Sequence, residues 1–153
     1  GEGGGAHVAA LLVAARADTA LRDCEWHCAL HCAAQTGNAG VITVLLEEGQ
    51  ADLESECREG RTALHMAAGS GHEGAVRALL RHAHSDLVNH QDQEGRTALH
   101  YACASGESPP IVSAIVEGGG DPHSADFSGR TPADVAQVGR REEIIEILER
   151  GAT

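Results

Sequence analysis

The sequence has no lysine: all 11 basic residues are arginine, set against 23 Asp and Glu, for a formal net charge of −12. That balance argues against nucleic-acid binding, which rests on neutralising phosphates with basic side chains. At long range it favours a partner with a basic segment. Aromatics are nearly missing, with one Trp, one Tyr and one Phe in 153 residues. A core without them must be built from Ala, Leu, Val and Ile, which suits closely packed helices. No apolar run is long enough to span a membrane, and Gly1–Gly5 has neither the basic flank nor the apolar segment of a signal peptide. The start also lacks a Met and reads as a cut end. Five Cys is an odd number, and they sit inside helical patterns, not on a spaced framework. Reduced thiols and an intracellular setting, cytoplasmic or nuclear, are expected. Catalytic signatures are missing too. There is no Ser nucleophile elbow, no phosphate-cradling Gly loop with Lys, and no pair of carboxylates set apart from the repetitive pattern. Neither enzymatic activity nor a cofactor is expected.

What the sequence does have is a period. Gly60-Arg61-Thr62-Ala63-Leu64-His65 recurs unchanged 35 residues later as Gly95-Arg96-Thr97-Ala98-Leu99-His100. Gly129-Arg130-Thr131-Pro132-Ala133-Asp134 follows after 34 more, and Cys28-Ala29-Leu30-His31 precedes the first copy by 34. A second landmark keeps the same beat: Leu11-Leu12, Leu45-Leu46, Leu79-Leu80, Ile115-Val116 and Ile147-Leu148. Each unit reads as helix, tight turn, helix and an outstretched turn. Thr62 can N-cap a helix whose Leu64, Ala67 and Ala68 share one face. Pro132 follows Thr131 at a first helical position, where its missing N–H costs nothing. Gly37, Gly71 and Gly106 end the first helices in a left-handed residue. One such unit cannot bury its apolar face alone, so neighbours must stack.

Thr-Ala-Leu-His followed by Ala-Ala and a Gly resembles the ankyrin repeat, from about residue 6 to 151. The resemblance implies an all-α solenoid of stacked helix-turn-helix units with protruding β-hairpin or turn loops. Residues 1–22 would be a partial repeat, a second helix only. Residues 23–153 would hold four repeats (about 23–56, 57–91, 92–125 and 126–153) in one continuous domain. The chain would then be cut from a longer array at its N-terminus. The charged last helix, with Arg140, Arg141, Glu142, Glu143, Glu146 and Glu149, reads as a C-terminal cap. The departures are local. Trp26 stands where the turn Gly belongs and Cys28 where the capping Thr belongs, which leaves the first hairpin in doubt. Ser108-Pro109-Pro110 opens a helix with a small distortion. Arg81–Gln91, two residues longer than its counterpart in the fourth unit, is expected to bulge outward.

Three side-chain groups are candidates for function. His31, His65 and His100 hold the motif position, where the resemblance implies a structural bridge between neighbouring turns, with Thr62, Thr97 and Thr131 as caps. His82, His84, His90 and His123 lie in connections and are expected to be solvated. Cys24, His27, Cys28, His31 and Cys32 put five soft-metal ligands within nine residues, an alternative zinc site. Against it, His31 and Cys32 already have places in the repeat, so no metal is expected.

The resemblance further implies a protein-binding scaffold that uses turn tips and first helices. The contact positions would be Trp26 in the first unit, Arg58, Glu59, Arg61 and Ser70 in the second, Gln93, Glu94, Arg96 and Ser105 in the third, and Phe127, Ser128 and Arg130 in the fourth. Small helix positions would give a shallow groove with room for a peptide. Arg61, Arg96 and Arg130 form a ladder suited to carboxylate or phosphate, unless each pairs with a neighbouring Glu, Asp92 or Asp126. The chain is expected to act as a monomer on another protein, with no nucleic acid and no membrane. The alternative is a spacer or cap segment whose binding surface lies elsewhere.

Overall fold

The computed structural model describes residues 5, 10–12, 18–106 and 108–151. Helices alternate with tight turns, and among the described residues no strand forms. From residue 18 onward the helices are α1 (Ala29–Gln35), α2 (Ala39–Glu47), α3 (Ala63–Gly69), α4 (Glu73–Leu80), α5 (Ser85–Val88), α6 (Ala98–Ser105), α7 (Pro109–Glu117), α8 (Pro132–Val138) and α9 (Glu142–Gly151). They pack in two rows. First helices follow one another as α1, α3, α6, α8, second helices as α2, α4, α7, α9, and each first helix also packs on its own second helix. The protein is an all-α repeat solenoid.

The interior is made of small and branched aliphatics, as the shortage of aromatics requires. Leu30, Leu64 and Leu99 are at most 1% exposed, and Ala34, Ala67, Ala68 and Cys103 are fully closed off. These small side chains let the short first helices lie close together. Ile42, Val76, Leu79, Ile111, Ile115, Ile144 and Leu148 seal the second-helix row. Leu11 and Leu12 do not follow Leu45 and Leu79: they are 58% and 55% exposed. The expected helix over Gly4–Ala15 otherwise falls mainly outside the described residues.

Thr62, Thr97 and Thr131 occupy the N-cap positions of α3, α6 and α8, and Cys28 that of α1. Gly37, Gly71 and Gly106 follow the first helices with φ of 74°, 73° and 63°. The same place in the last unit falls on Arg140, which takes φ 53° without the freedom of a glycine. Pro109 starts α7 and is accommodated there, because a first-turn proline loses no helical hydrogen bond.

Each outstretched loop is a compact turn. Gly60, Gly95 and Gly129 donate to the carbonyls of Cys57, Asp92 and Asp126, with φ between 74° and 78°. Trp26 makes the same bond to Asp23 at φ 65°. The doubt about the first turn is therefore answered: it closes like the others, with a bulky residue held in the left-handed region. Arg81–Gln91 does not bulge outward. Part of it winds into α5 and turns Leu87 and Val88 inward, to 4% and 1% exposure. Burying two aliphatic side chains offsets the cost of ordering the extra length.

Candidate functional site

The four turns are strung together by backbone bonds. Arg58 N–H donates to Glu25 carbonyl (3.0 Å), Gln93 N–H to Glu59 (3.1 Å) and Phe127 N–H to Glu94 (3.0 Å). A second tie runs underneath through the motif histidines. His65 Nδ1 accepts from Thr62 N–H at 3.2 Å and lies 3.0 Å from Thr62 Oγ1, while Nε2 meets Arg96 carbonyl at 3.1 Å. His100 repeats this with Thr97 and Arg130 carbonyl, and His31 with Cys28 and Arg61 carbonyl. Since Nδ1 faces a backbone donor, it must be the acceptor, which leaves Nε2–H to donate to the carbonyl of the following turn. In the last unit Asp134 takes the histidine's place. Its carboxylate accepts from Thr131 N–H and Oγ1–H, both at 2.8 Å.

The turn arginines are engaged inside their own loops. Arg96 donates through Nε and an Nη to Asp92, each at 3.2 Å, and reaches Glu94 at 3.0 Å. Arg130 does the same to Asp126, at 3.1 and 2.9 Å. Both aspartates also accept two amides of their turns, Glu94 and Arg96 in one case, Ser128 and Arg130 in the other. The Asp92 side chain is 1% exposed and receives the Tyr101 hydroxyl at 2.7 Å. Burial pushes the Asp92 carboxyl up, but Tyr101, the two amides and the Arg96 guanidinium together hold it below the usual carboxylate range. Arg61 pairs with Glu59 instead. These aspartates organise the surface, and the reading from residue types alone gave them only a possible pairing role. Their signal is an Asp three residues before the turn Gly, as in Asp92-Gln93-Glu94-Gly95 and Asp126-Phe127-Ser128-Gly129.

Of the other candidate contacts, Trp26, Arg58, Glu59, Gln93, Glu94, Phe127, Ser128 and Arg130 are exposed, and Ser70 and Ser105, at the ends of α3 and α6, are half-buried. Trp26 and Phe127 are 56% and 75% exposed. A Cβ on Gly95 would fall 2.5 Å from the Phe127 ring, so one edge of that ring rests on the preceding turn. Beside Trp26 an open groove of about 560 Å³ is lined by Arg22, Glu54, Glu56, Cys57, Arg58 and Gln93 among others.

The cluster from Cys24 to Cys32 does not assemble into a metal centre, and no group of three or more metal-ligating side chains is arranged to hold an ion among the described residues. His31 uses both nitrogens for the bridge, His27 lies 3.3 Å from Asp23, and Cys24 and Cys32 are exposed on either side of the buried Cys28. The Cys28 Sγ lies 3.1 Å from His31 Nδ1 and, that nitrogen being an acceptor, donates its S–H to it. At 3% exposure this thiol has no approach for a substrate. Three of the connection histidines are not simply solvated. His82 leans on Glu47 at the end of α2 at 3.7 Å, and His84 and His90 on Glu54 and Glu56 of the connection after α2 at 3.3 and 3.2 Å, because α5 draws the segment back against it. His123 is exposed.

Comparison with known proteins agrees with this architecture. A family profile described as ankyrin repeats (3 copies) matches residues 2–89, and a second, ankyrin repeats (many copies), matches residues 64–116. No curated protein matches the chain. Ankyrin repeats are in general protein–protein interaction modules and non-enzymatic scaffolds. No helix among the described residues is long and apolar enough to cross a membrane. With a profile covering more than half of its length, the chain belongs to the ankyrin repeat family.

Proposed function

We propose that the chain is a non-catalytic scaffold that binds a segment or surface of another protein along the row of turns and the adjoining first-helix ends. The contact set is Trp26, Arg58, Glu59, Arg61, Ser70, Gln93, Glu94, Arg96, Ser105, Phe127, Ser128 and Arg130. The working unit is a monomer of four repeats, about 23–56, 57–91, 92–125 and 126–153, preceded by a partial one, and its setting is intracellular. The observation that carries this reading is the placement of two exposed aromatics, Trp26 and Phe127, at opposite ends of one hydrogen-bonded row of turns. Aromatic and arginine side chains are the ones enriched at binding hot spots. Trp26 adds a second argument. A large residue held at φ 65° costs about 1–2 kcal/mol relative to glycine, so stability does not account for Trp26 at the tip and contact with a partner does.

The test uses peptides selected on the protein from a randomised display library. Trp26→Gly is expected to stabilise the chain by about 1 kcal/mol while weakening the selected peptides tenfold or more. Phe127→Ala is expected to weaken them without unfolding the stack. If isothermal titration finds both variants within twofold of the parent, the surface lies elsewhere and a spacer role becomes the better account.

A further inference from the structure

One of the differences among the four turns bears directly on the arginines. Asp23, Cys57, Asp92 and Asp126 are equivalent in the period, so the second turn has a thiol where the others have a carboxylate. The consequence falls on Arg61. Where Arg96 and Arg130 each place Nε and an Nη on a loop aspartate, Arg61 Nε is closed off from solvent and has no acceptor among the described residues. Its guanidinium is paired instead with Glu59, whose side chain is 62% exposed.

Building on the binding reading above, we propose that Arg61 is the arginine that engages the partner, and that it takes an Asp or Glu carboxylate of a protein segment lying across the second turn. The energetic argument is a comparison of three exits. For Arg96 or Arg130 to turn outward, a buried aspartate must be left without its cation, which is strongly unfavourable. Arg61 gives up only an exposed carboxylate, which water rehydrates at little cost. It also escapes an unmade buried hydrogen bond, and a two-point bond to a carboxylate restores the pairing that the missing loop aspartate would have supplied. The incoming group is monoanionic for a reason of charge. Replacing Glu59 one for one keeps the local balance, whereas a phosphate near charge −2 would face Glu59 and Glu94 together. Exposed Arg58 in the same turn and exposed Trp26 in the preceding one provide adjoining contacts for such a segment.

The experiment again uses display-selected peptides, measured by fluorescence anisotropy. The enriched sequences are expected to share an acidic residue whose replacement by its amide weakens binding about tenfold. Arg61→Gln should erase that acid-over-amide preference, and Arg77→Gln, at an exposed position of α4 outside the contact set, should leave it. The decisive variant is Cys57→Asp, which supplies the absent loop carboxylate. It should raise the melting temperature and at the same time weaken the acidic peptides several-fold, a pairing that a folding defect cannot produce. The proposal is overturned if no acidic residue is shared, if the preference survives Arg61→Gln, if Cys57→Asp leaves affinity unchanged, or if phosphoserine at the acidic position binds more tightly than the acid. Any of these results with Trp26 and Phe127 still required would spare the wider binding surface. Loss of that requirement as well would remove both.

Discussion

Replacing Asp92 with Ala is expected to destabilise the stack by about 3 kcal/mol, at the lower end of the range for removing one partner of a buried ion pair. The carboxylate is nearly inaccessible and accepts from two turn amides, the Arg96 guanidinium and the Tyr101 hydroxyl. Its removal leaves the amides and the hydroxyl without acceptors, and the guanidinium with only the exposed Glu94 as counter-charge. The lower end applies because the Arg96 side chain is 31% exposed and regains some hydration. Asp92→Asn, which keeps one carbonyl acceptor, should cost about half as much. Asp126→Ala should cost less than Asp92→Ala, since Arg130 is 55% exposed and no tyrosine is bound there. Urea unfolding followed by circular dichroism measures all three. A loss below about 1 kcal/mol for Asp92→Ala would mean that the turn holds its shape through backbone bonds alone.

Stability should fall by about 2–3 kcal/mol between pH 7 and pH 4.5, chiefly through His65. Burial pulls this imidazole down from an ordinary 6.5 to about 4, against opposing pulls from Arg96 carbonyl and Asp92. The geometry gives the same direction, because Nδ1 accepts from Thr62 N–H and cannot take a proton without turning two donors on each other. Between pH 6.5 and 4 the unfolded chain therefore binds a proton that the fold excludes. The His65 contribution is whole above about 6.5, declines as pH falls, and levels off below about 4. His100, lowered by burial, acts in the same sense. Asp92 and Asp126, held below 3.8, add their losses only at lower pH, as each falls through its folded value. His65→Asn should be less stable at neutral pH and should flatten the slope from 6.5 to 4.5. An unchanged slope in that variant would assign the acid sensitivity to another group.

Much of the architecture was legible because it is coded locally and repeated. Thr at the start of a helix, His three residues on and Gly after the helix recur at nearly constant spacing, and each recurrence tests the last. What was less legible depends on a single position or on a contact across turns. Trp26 breaks the glycine pattern, and only the backbone shows that the left-handed turn survives it. Arg81–Gln91 reads as surplus length, while the burial of Leu87 and Val88 depends on the neighbouring connection drawing it in. The arginine ladder reads as a uniform stripe until Asp92 and Asp126 are seen to hold two of its members and Cys57 to leave the third. Aligning positions 23, 57, 92 and 126 would have exposed that difference, but the carboxylates are informative only once they are known to be buried.

Amide hydrogen exchange, with and without saturating selected peptide, tests the binding surface most directly. Protection is predicted over Arg58–Arg61, Gln93–Arg96 and Phe127–Arg130, with Trp26 included and little change in α4 and α7. Protection confined to α4, α7 and α9, with the turns unaffected, would contradict the account.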